Sequence, residues 1–199
     1  METIRGRMSL DLNLSELTQR LADYDHITLD LGTGDGQFVR HMAERQPETF
    51  FIGMDACREN LRVNSQRKLN NALFVIANAQ ALPFELHGLA RRLTINFPWG
   101  SLLHQLLNAD PGLLDGLNAV TRSGAGLLLH LNADALATAG WSLEAGADQV
   151  ESVLNAAGWP TRSRANLNAQ ALRSFPSTWA KRLAFGRAPR AIQMSFERL

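Results

Sequence analysis

Apolar and polar positions follow two periods along the chain, one typical of strands and the other of helices. Short runs rich in apolar and β-branched residues predict seven strands, at 27–30, 49–55, 72–77, 92–96, 125–131, 161–166 and 190–196. Apolar residues three or four positions apart predict helices at 15–22, 37–45, 58–69, 101–108, 112–121 and 144–157. A shorter alternation within 3–10, broken by Gly6, predicts an N-terminal β-hairpin.

Strands that alternate with helices are typical of the α/β class, in which a mostly parallel sheet carries helices on both faces. We therefore predict a seven-stranded, mostly parallel sheet, and the length of 199 residues suits one domain with a substantial core. In such sheets the ligand lies at the carboxyl ends of the strands. The residues that follow each strand are therefore the candidates for a functional site.

A glycine-rich turn follows the first of these strands. Residues 27–36 read Ile-Thr-Leu-Asp-Leu-Gly-Thr-Gly-Asp-Gly and lead into helix 37–45. Glycine suits such a turn because its backbone accepts positive φ and lets a ligand approach closely, while the N–H groups of the helix start face that ligand. Dinucleotide binders and S-adenosylmethionine (SAM) binders share this turn. A doubly wound domain with plain surface turns is the alternative.

Acids at the ends of the first two strands favour SAM. Asp55 ends the second strand 19 residues beyond Gly36, where a carboxylate suits the two hydroxyls of a ribose. In SAM-dependent methyltransferases the first strand also ends in an acid, and Asp30 fits that position. The third strand ends at 78–83, where this fold usually lays backbone and a polar side chain against adenine.

Two tryptophan-containing stretches are candidates for contact with a nucleic-acid base. Trp99 follows the fourth strand in Asn-Phe-Pro-Trp-Gly, and Trp179 lies in the basic stretch 177–187, which we interpret as a loop and turn. A base lifted from its stack can lie on an indole face, and two tryptophans from separate loops could hold it between them. Packing in the core is the alternative for Trp99, and packing of an amphipathic helix is the alternative for Trp179.

The charge is uneven along a chain whose net charge is only +1. From Pro160 onward there are eight basic residues and one acid, Glu197, which gives +7 and leaves −6 for the first 159 residues. A stretch of one sign indicates a polyanionic partner, since a solvated face usually mixes both signs. The sequence has no run of 18 apolar residues and one cysteine, so we expect neither a membrane span, a disulfide nor a cysteine-based metal site.

The tryptophan stretches together resemble a known family. Phe-Pro-Trp-Gly at 97–100 with Trp-Ala-Lys-Arg-Leu-Ala-Phe-Gly-Arg at 179–187 is similar to the aminoglycoside-resistance 16S ribosomal RNA methyltransferases that modify N1 of adenine 1408. The similarity extends through 30–36, 51–55 and 82–86 and covers nearly the whole chain. It implies a single-domain, Rossmann-like class I SAM-dependent methyltransferase whose substrate is helix 44 of 16S rRNA in the 30S subunit.

The resemblance also implies roles for individual residues. Trp99 and Trp179 would stack on the flipped adenine, with Ser177 near the base. Together with the strand-end positions, the predicted cofactor contacts are Asp30, Gly32, Gly34, Asp55, Asn78, Ala79, Gln80 and Asn96. The predicted RNA contacts are Arg67, Lys68, Lys181, Arg182 and Arg187. We predict no metal.

The chain divides by expected role into an N-terminal extension (1–25), a cofactor-binding core (26–131) and a basic, RNA-facing part (132–199). We expect a cytoplasmic monomer. Relative to the resistance enzymes, the segment between strands five and six is shorter, and the linker after the second helix keeps only Arg67 and Lys68 of a lysine cluster. Gln80 replaces an acid and Asn96 replaces an aliphatic residue.

Three alternatives stay open. Transfer RNA guanine-N7 methyltransferases share Asn-Phe-Pro at the fourth strand but continue with Asp-Pro-Trp-x-Lys, which residues 97–100 do not match. Asn96-Phe-Pro-Trp99 is also similar to the Asn-Pro-Pro-aromatic motif of exocyclic-amine methyltransferases, although Phe97 replaces the first proline. A SAM- and RNA-binding homologue without catalysis is the third.

Overall fold

The computed structural model describes residues 1–185 and 190–199, and within them nine strands form one sheet. The strands are β1 (Glu2–Arg5), β2 (Met8–Asp11), β3 (His26–Leu31), β4 (Thr49–Asp55), β5 (Ala72–Ile76), β6 (Ala90–Asn96), β7 (Thr121–Asn132), β8 (Thr161–Leu167) and β9 (Ala191–Glu197). Their order across the sheet is β2-β1-β5-β4-β3-β6-β7-β9-β8.

The predicted strand count of seven is wrong, because the N-terminal hairpin belongs to the same sheet. Strand β1 pairs with β5, with Thr3 opposite Val75, so both hairpin strands extend one edge. The prediction of a mostly parallel sheet holds only for the five central strands. Pairing at both edges is antiparallel, which makes the sheet mixed.

Helices flank the sheet on both faces. They are α1 (Leu14–Leu21), α2 (Gln37–Arg45), α3 (Arg58–Ser65), α4 (Gly100–Leu107), α5 (Pro111–Val120), α6 (Ala133–Thr138), α7 (Leu143–Ala156), α8 (Ala169–Ser174) and α9 (Thr178–Ala184). Leu17, Leu103 and Val150 belong to one apolar core, whereas Val39 and Leu61 belong to a separate one. In the described part of the chain, no helix is long and apolar enough to cross a membrane.

The structure corrects three helix predictions. Helix α3 ends at Ser65, so Arg67 and Lys68 lie in the linker to β5 and not in the helix. Helices α6 and α8 were not predicted, since each has only six residues and shows too few turns for a period to be recognised. Residues 178–184, interpreted as a loop and turn, form α9, and Ala180 and Leu183 are buried in it.

A small third cluster places α8 and α9 over the carboxyl end of β6. It contains Phe97, Leu172, Ala180 and Leu183, with Phe175 packed against it. Apolar packing, and not the strand pairing of the sheet, therefore fixes the helix that carries Trp179.

Candidate active site

The carboxyl ends of β3, β4, β5 and β6 open into a cleft of about 400 Å³. Its lining brings together ten of the predicted site residues: Asp30, Gly32, Gly34, Asp55, Asn78, Ala79, Asn96, Trp99, Ser177 and Trp179. Gln80 is not among the lining residues. Its side chain donates a hydrogen bond to Oδ2 of Asp110 at 2.7 Å, at the beginning of α5.

The glycine-rich turn forms the floor of this cleft. Gly32 and Gly36 have φ values of +70° and +72°, which side chains with a Cβ rarely adopt. A Cβ on Gly32 would lie 2.6 Å from Leu102 Cδ2, and one on Gly36 would lie 2.5 Å from Phe74 Cε1. The backbone conformation therefore favours glycine at both positions, and at Gly36 the buried ring of Phe74 also leaves no room for a Cβ.

The Asp55 carboxylate is held at the mouth of the cleft by backbone donors. Its Oδ2 accepts from the N–H of Gly34 and its Oδ1 from the N–H of Cys57, each at 2.8 Å. The amide of Asn60 lies 3.4 Å from Oδ1. Each carboxylate oxygen can accept more than one hydrogen bond, so the group is both oriented and able to accept from a vicinal diol.

Asp30 is a buried carboxylate with one oxygen satisfied and one unsatisfied. Its Oδ1 accepts from the Thr94 hydroxyl at 2.6 Å and from the Asn96 amide at 2.8 Å. Its Oδ2 is buried and has no hydrogen-bond partner among the described residues. Burial raises the pKa of Asp30 to about 6, because removal from water disfavours the charged form. A cationic ligand group in the cleft would satisfy this oxygen.

The same network continues to His130. Its Nδ1 lies 2.9 Å from Oδ1 of Asn96, and its Nε2 lies 3.1 Å from Oε1 of Gln193. Burial lowers the pKa of His130 to about 4, so the ring is neutral at pH 7. A neutral ring has one N–H, and donation from Nδ1 to Oδ1 of Asn96 leaves Nε2 unprotonated, so a hydrogen bond at Nε2 requires the Gln193 amide to be turned with its NH₂ toward the ring.

The sequence analysis did not predict that the hydrogen-bond network of Asp30 continues to His130 and Gln193, although one signal for it was present. His130 is the polar residue near the end of the otherwise apolar strand 125–131. A polar side chain at that place in a buried strand must find a hydrogen-bond partner inside the protein.

Between pH 4 and 6, the titrations of Asp30 and His130 should change the free energy of unfolding in opposite directions. With its folded pKa raised above 3.8, Asp30 stabilises the fold at low pH, and the effect is lost as pH rises through about 6. The lowered pKa of His130 has the reverse effect, so stability is gained as pH rises. In Asp30→Asn, the free energy of unfolding should therefore rise from pH 4.5 to 6.5 by about 2 kcal/mol more than in the wild type.

Urea unfolding of both proteins at several pH values measures this difference. Parallel profiles for the wild type and Asp30→Asn would contradict the assignment of a raised pKa to Asp30.

Trp99 and Trp179 face each other across the cleft. Their ring centroids are 6.0 Å apart and their planes differ by 13°. Trp99 is 45% exposed, which rules out the core alternative for this residue, and Trp179 is 49% exposed although it lies on the amphipathic helix that was its alternative. Bases stack about 3.4 Å apart, so a base between two rings needs about 6.8 Å, and the pair is less than about 1 Å short of that. The arrangement suits one flat aromatic ligand.

The backbone at Phe97 directs Trp99 into this position. Phe97 has a φ of +54°, a left-handed conformation that costs a non-glycine residue of order 1–3 kcal/mol. The residue is buried, and its ring packs 5.2 Å from that of Phe175 and 5.4 Å from that of His130. These contacts hold the turn that brings Pro98 and Trp99 to the cleft.

The predicted RNA-contacting cations that the structure describes lie in two places, on α9 and in the linker between α3 and β5. Lys181 and Arg182 are exposed on α9, and the guanidinium of Arg182 lies 5.5 Å from the Trp179 ring centroid. Arg67 forms an ion pair with Glu44 at the end of α2. Lys68 lines a groove beside the hairpin, and Arg187 lies outside the described residues.

Within residues 1–185 and 190–199, no group of three His, Cys, Asp or Glu side chains could hold a metal ion.

Comparison with known proteins gives consistent matches over the whole chain. The model of the NpmA family, 16S rRNA (adenine(1408)-N(1))-methyltransferase, matches residues 2–197. A protein of that name from Escherichia coli is 33% identical over 205 residues, covering 94% of this chain and 94% of its own.

Solved structures match as fully. The antibiotic-resistance methyltransferase Kmr superposes with a TM-score of 0.81 at 32% identity, covering 100% of this chain and 99% of its own. A mutant of the 16S rRNA (adenine(1408)-N(1))-methyltransferase from Catenulisporales acidiphilia, with cosubstrate SAM, gives a TM-score of 0.88 and covers 100% and 97%. At its 23% identity this last match shows the fold alone.

Proposed function

The chain belongs to the 16S rRNA (adenine(1408)-N(1))-methyltransferase family, and we propose that it methylates N1 of adenine 1408 in helix 44 of the 30S subunit. The family resemblance inferred from the sequence is thereby confirmed. The protein is an enzyme, and its methyl donor is SAM. We further propose that it acts as a cytoplasmic monomer and that methylation protects the ribosome from aminoglycosides.

The near-parallel pair of Trp99 and Trp179 carries the proposal. Two half-exposed indoles 6.0 Å apart form a slot for one base, and the slot opens on the cleft at the strand ends. Ser177 lines the same cleft next to Trp179 and would lie near the edge of that base. A base must leave its helical stack to enter such a slot, as in other enzymes that act on flipped bases.

The residues of the cleft fit SAM. The unsatisfied, buried Oδ2 of Asp30 suits the ammonium of its methionine part. The Asp55 carboxylate suits the ribose hydroxyls, and Asn78 and Ala79 at the end of β5 would lie against the adenine. Gly32 and Gly34 leave the backbone open to close approach, and Asn96 holds Asp30 in place by donating to its Oδ1.

The reaction needs positioning more than proton transfer. When bound, SAM supplies an electrophilic methyl group on its sulfonium. Adenine N1 carries a free lone pair at neutral pH, so no general base is required, and the protein contributes in-line placement and fixed electrostatics. The methylated base is cationic, and two indole faces favour that charge by cation–π attraction. We therefore assign no proton-transfer residue.

The substrate is tested by primer extension across helix 44 of 30S subunits treated with the enzyme and SAM. N1 methylation blocks Watson–Crick pairing, so we expect a stop adjacent to adenine 1408 that depends on SAM. A methylated guanine in transfer RNA with no such stop would support the guanine-N7 alternative. SAM binding without methylation of any subunit would support a non-catalytic homologue.

Lys181 and Arg182 should contribute to RNA affinity and not to SAM affinity. The double variant Lys181→Glu/Arg182→Glu should bind 30S subunits about tenfold or more weakly at 0.15 M salt, and with a shallower salt dependence, because fewer counterions are released. Filter binding over a salt series measures both effects.

A matched control comes from the opposite end of the sheet. Arg91 and Arg92 are exposed cations at the beginning of β6, away from the cleft. Arg91→Glu/Arg92→Glu changes the net charge equally and should leave 30S affinity closer to wild type. Equal losses in both double variants would show a nonspecific effect of charge and would contradict a binding role for α9.

A further inference from the structure

Helix α9 is tied to the glycine-rich turn by a side chain that neither the sequence motifs nor the family assignment singles out. The hydroxyl of Thr178 donates to Oδ2 of Asp35 at 2.6 Å. The hydroxyl oxygen of Thr178 also lies 2.7 Å from Oε1 of Gln37, which is a second acceptor for its single proton. These contacts join residues more than 140 positions apart in sequence.

Asp35 is itself an integral part of the turn. Its Oδ1 accepts from the backbone N–H of Gln37 at 3.0 Å, and its carbonyl accepts from the amide of Asn64 at 2.6 Å. Gly34 and Gly36, on either side of it, have φ values of +59° and +72°. The partner of Thr178 is therefore a rigid group and not a mobile surface acid.

Thr178 is also the first residue of α9, directly before Trp179. Ser177 occupies the N-cap position but makes no side-chain capping hydrogen bond. The start of the helix is held instead by Thr178 and, three residues earlier, by Phe175, whose ring stacks on that of Phe38 in α2 at 5.7 Å. Besides its packing against Phe97, the Trp179 segment thus has two attachments to residues 35–38.

We propose that Thr178 is a positioning residue that fixes the Trp179 ring relative to the methyl-donor site through Asp35. The proposal rests on the function above, in which residues 32–35 line the SAM site and Trp179 stacks on adenine. When the methyl donor binds and orders the glycine-rich turn, the hydrogen bond between Thr178 and Asp35 orders the start of α9 as well. By linkage, stacking of the base on Trp179 tightens binding of the donor by the same factor.

The experiment compares Thr178→Val, which removes the hydroxyl at equal size, with Thr178→Ser, which retains it. The first readout is the single-turnover rate of methyl transfer to saturating 30S subunits. The second is the affinity for S-adenosylhomocysteine, measured with and without 30S subunits. Thermal melts and the affinity of the free enzyme for S-adenosylhomocysteine accompany both variants.

In the wild type, 30S subunits should tighten S-adenosylhomocysteine binding about five- to tenfold, within the usual range of coupling between sites. In Thr178→Val that tightening should disappear and the transfer rate should fall about tenfold, while the affinity of the free enzyme and the melting temperature stay near wild type. Thr178→Ser should restore both the coupling and the rate.

Wild-type rate and coupling in Thr178→Val would overturn the proposal. So would a Thr178→Ser variant as defective as Thr178→Val, since the hydroxyl would then not be the active group. If the transfer rate, the melting temperature and the affinity of the free enzyme for S-adenosylhomocysteine all fall in Thr178→Val, Thr178 has only a structural role and the proposal is wrong. A wild-type enzyme that fails to methylate 30S subunits would instead overturn the proposed function, and this inference with it.

Discussion

Trp179→Ala should lower the rate of methyl transfer to 30S subunits by about 5- to 150-fold and leave SAM affinity near wild type. Stacking of one base on an aromatic side chain contributes about 1–3 kcal/mol, and the slot loses one of its two faces. Trp99→Ala should lose a similar amount, and Trp→Phe at either position should retain part of the activity. Tritiated methyl transfer from SAM measures each rate.

The double alanine variant tests whether the two rings share one base. Because each ring completes the slot for the other, the double variant should be little worse than the worse single one. Strict additivity of the two losses, or full activity of either single variant, would contradict a shared base. Phe185→Ala is the matched control, since Phe185 is an aromatic residue 78% exposed at the end of the same helix.

Asp55→Ala should weaken SAM binding about 10- to 150-fold. Hydrogen bonds to a charged group contribute about 1.5–3 kcal/mol, and the ribose hydroxyls would lose their acceptor. The backbone N–H groups of Gly34 and Cys57 would lose theirs as well, so the turn would be less well ordered. Isothermal titration calorimetry with SAM measures the change.

Asp110→Ala is the matched control for this loss of an acid. Asp110 caps α5 and binds Gln80, and it is not among the residues that line the cleft. We expect its SAM affinity to stay within a few-fold of wild type. Unchanged affinity in Asp55→Ala would remove Asp55 from the proposed site, and a large loss in Asp110→Ala would bring the Gln80 segment back into it.

The strand ends could be predicted because local sequence determines them. Asp30 and Asp55 each follow an apolar run, and strands that run parallel must bring these ends to one edge. The expectation that Trp99 and Trp179 hold one base between them came from their sequence surroundings and from the family resemblance, since no local pattern relates residues 80 positions apart. For 178–184 a loop and turn was preferred and an amphipathic helix was the alternative, because the buried face of the helix consists of only Ala180, Leu183 and Ala184.

Other features depend on tertiary contacts that no local pattern encodes. Gln80 was assigned to the cofactor because it follows β5, but Asp110 from a distant helix binds its side chain outside the cleft. The buried network through His130 and Gln193 depends on the pairing of β7 with β9, two strands that are about 60 positions apart in the sequence. The hairpin was predicted, but its attachment to β5 was not, because edge pairing has no signature within either strand.

The stacked indoles also give the enzyme an intrinsic optical reporter. The chain has four tryptophans, of which Trp159 is fully buried and donates its N–H to Asn118, whereas Trp99 and Trp179 are the two that are highly exposed. Solvent-exposed indoles emit at the long-wavelength side of the tryptophan fluorescence band, and a purine stacked between them quenches that emission. Stopped-flow fluorescence of the unlabelled enzyme can therefore test whether a base enters between the two indoles.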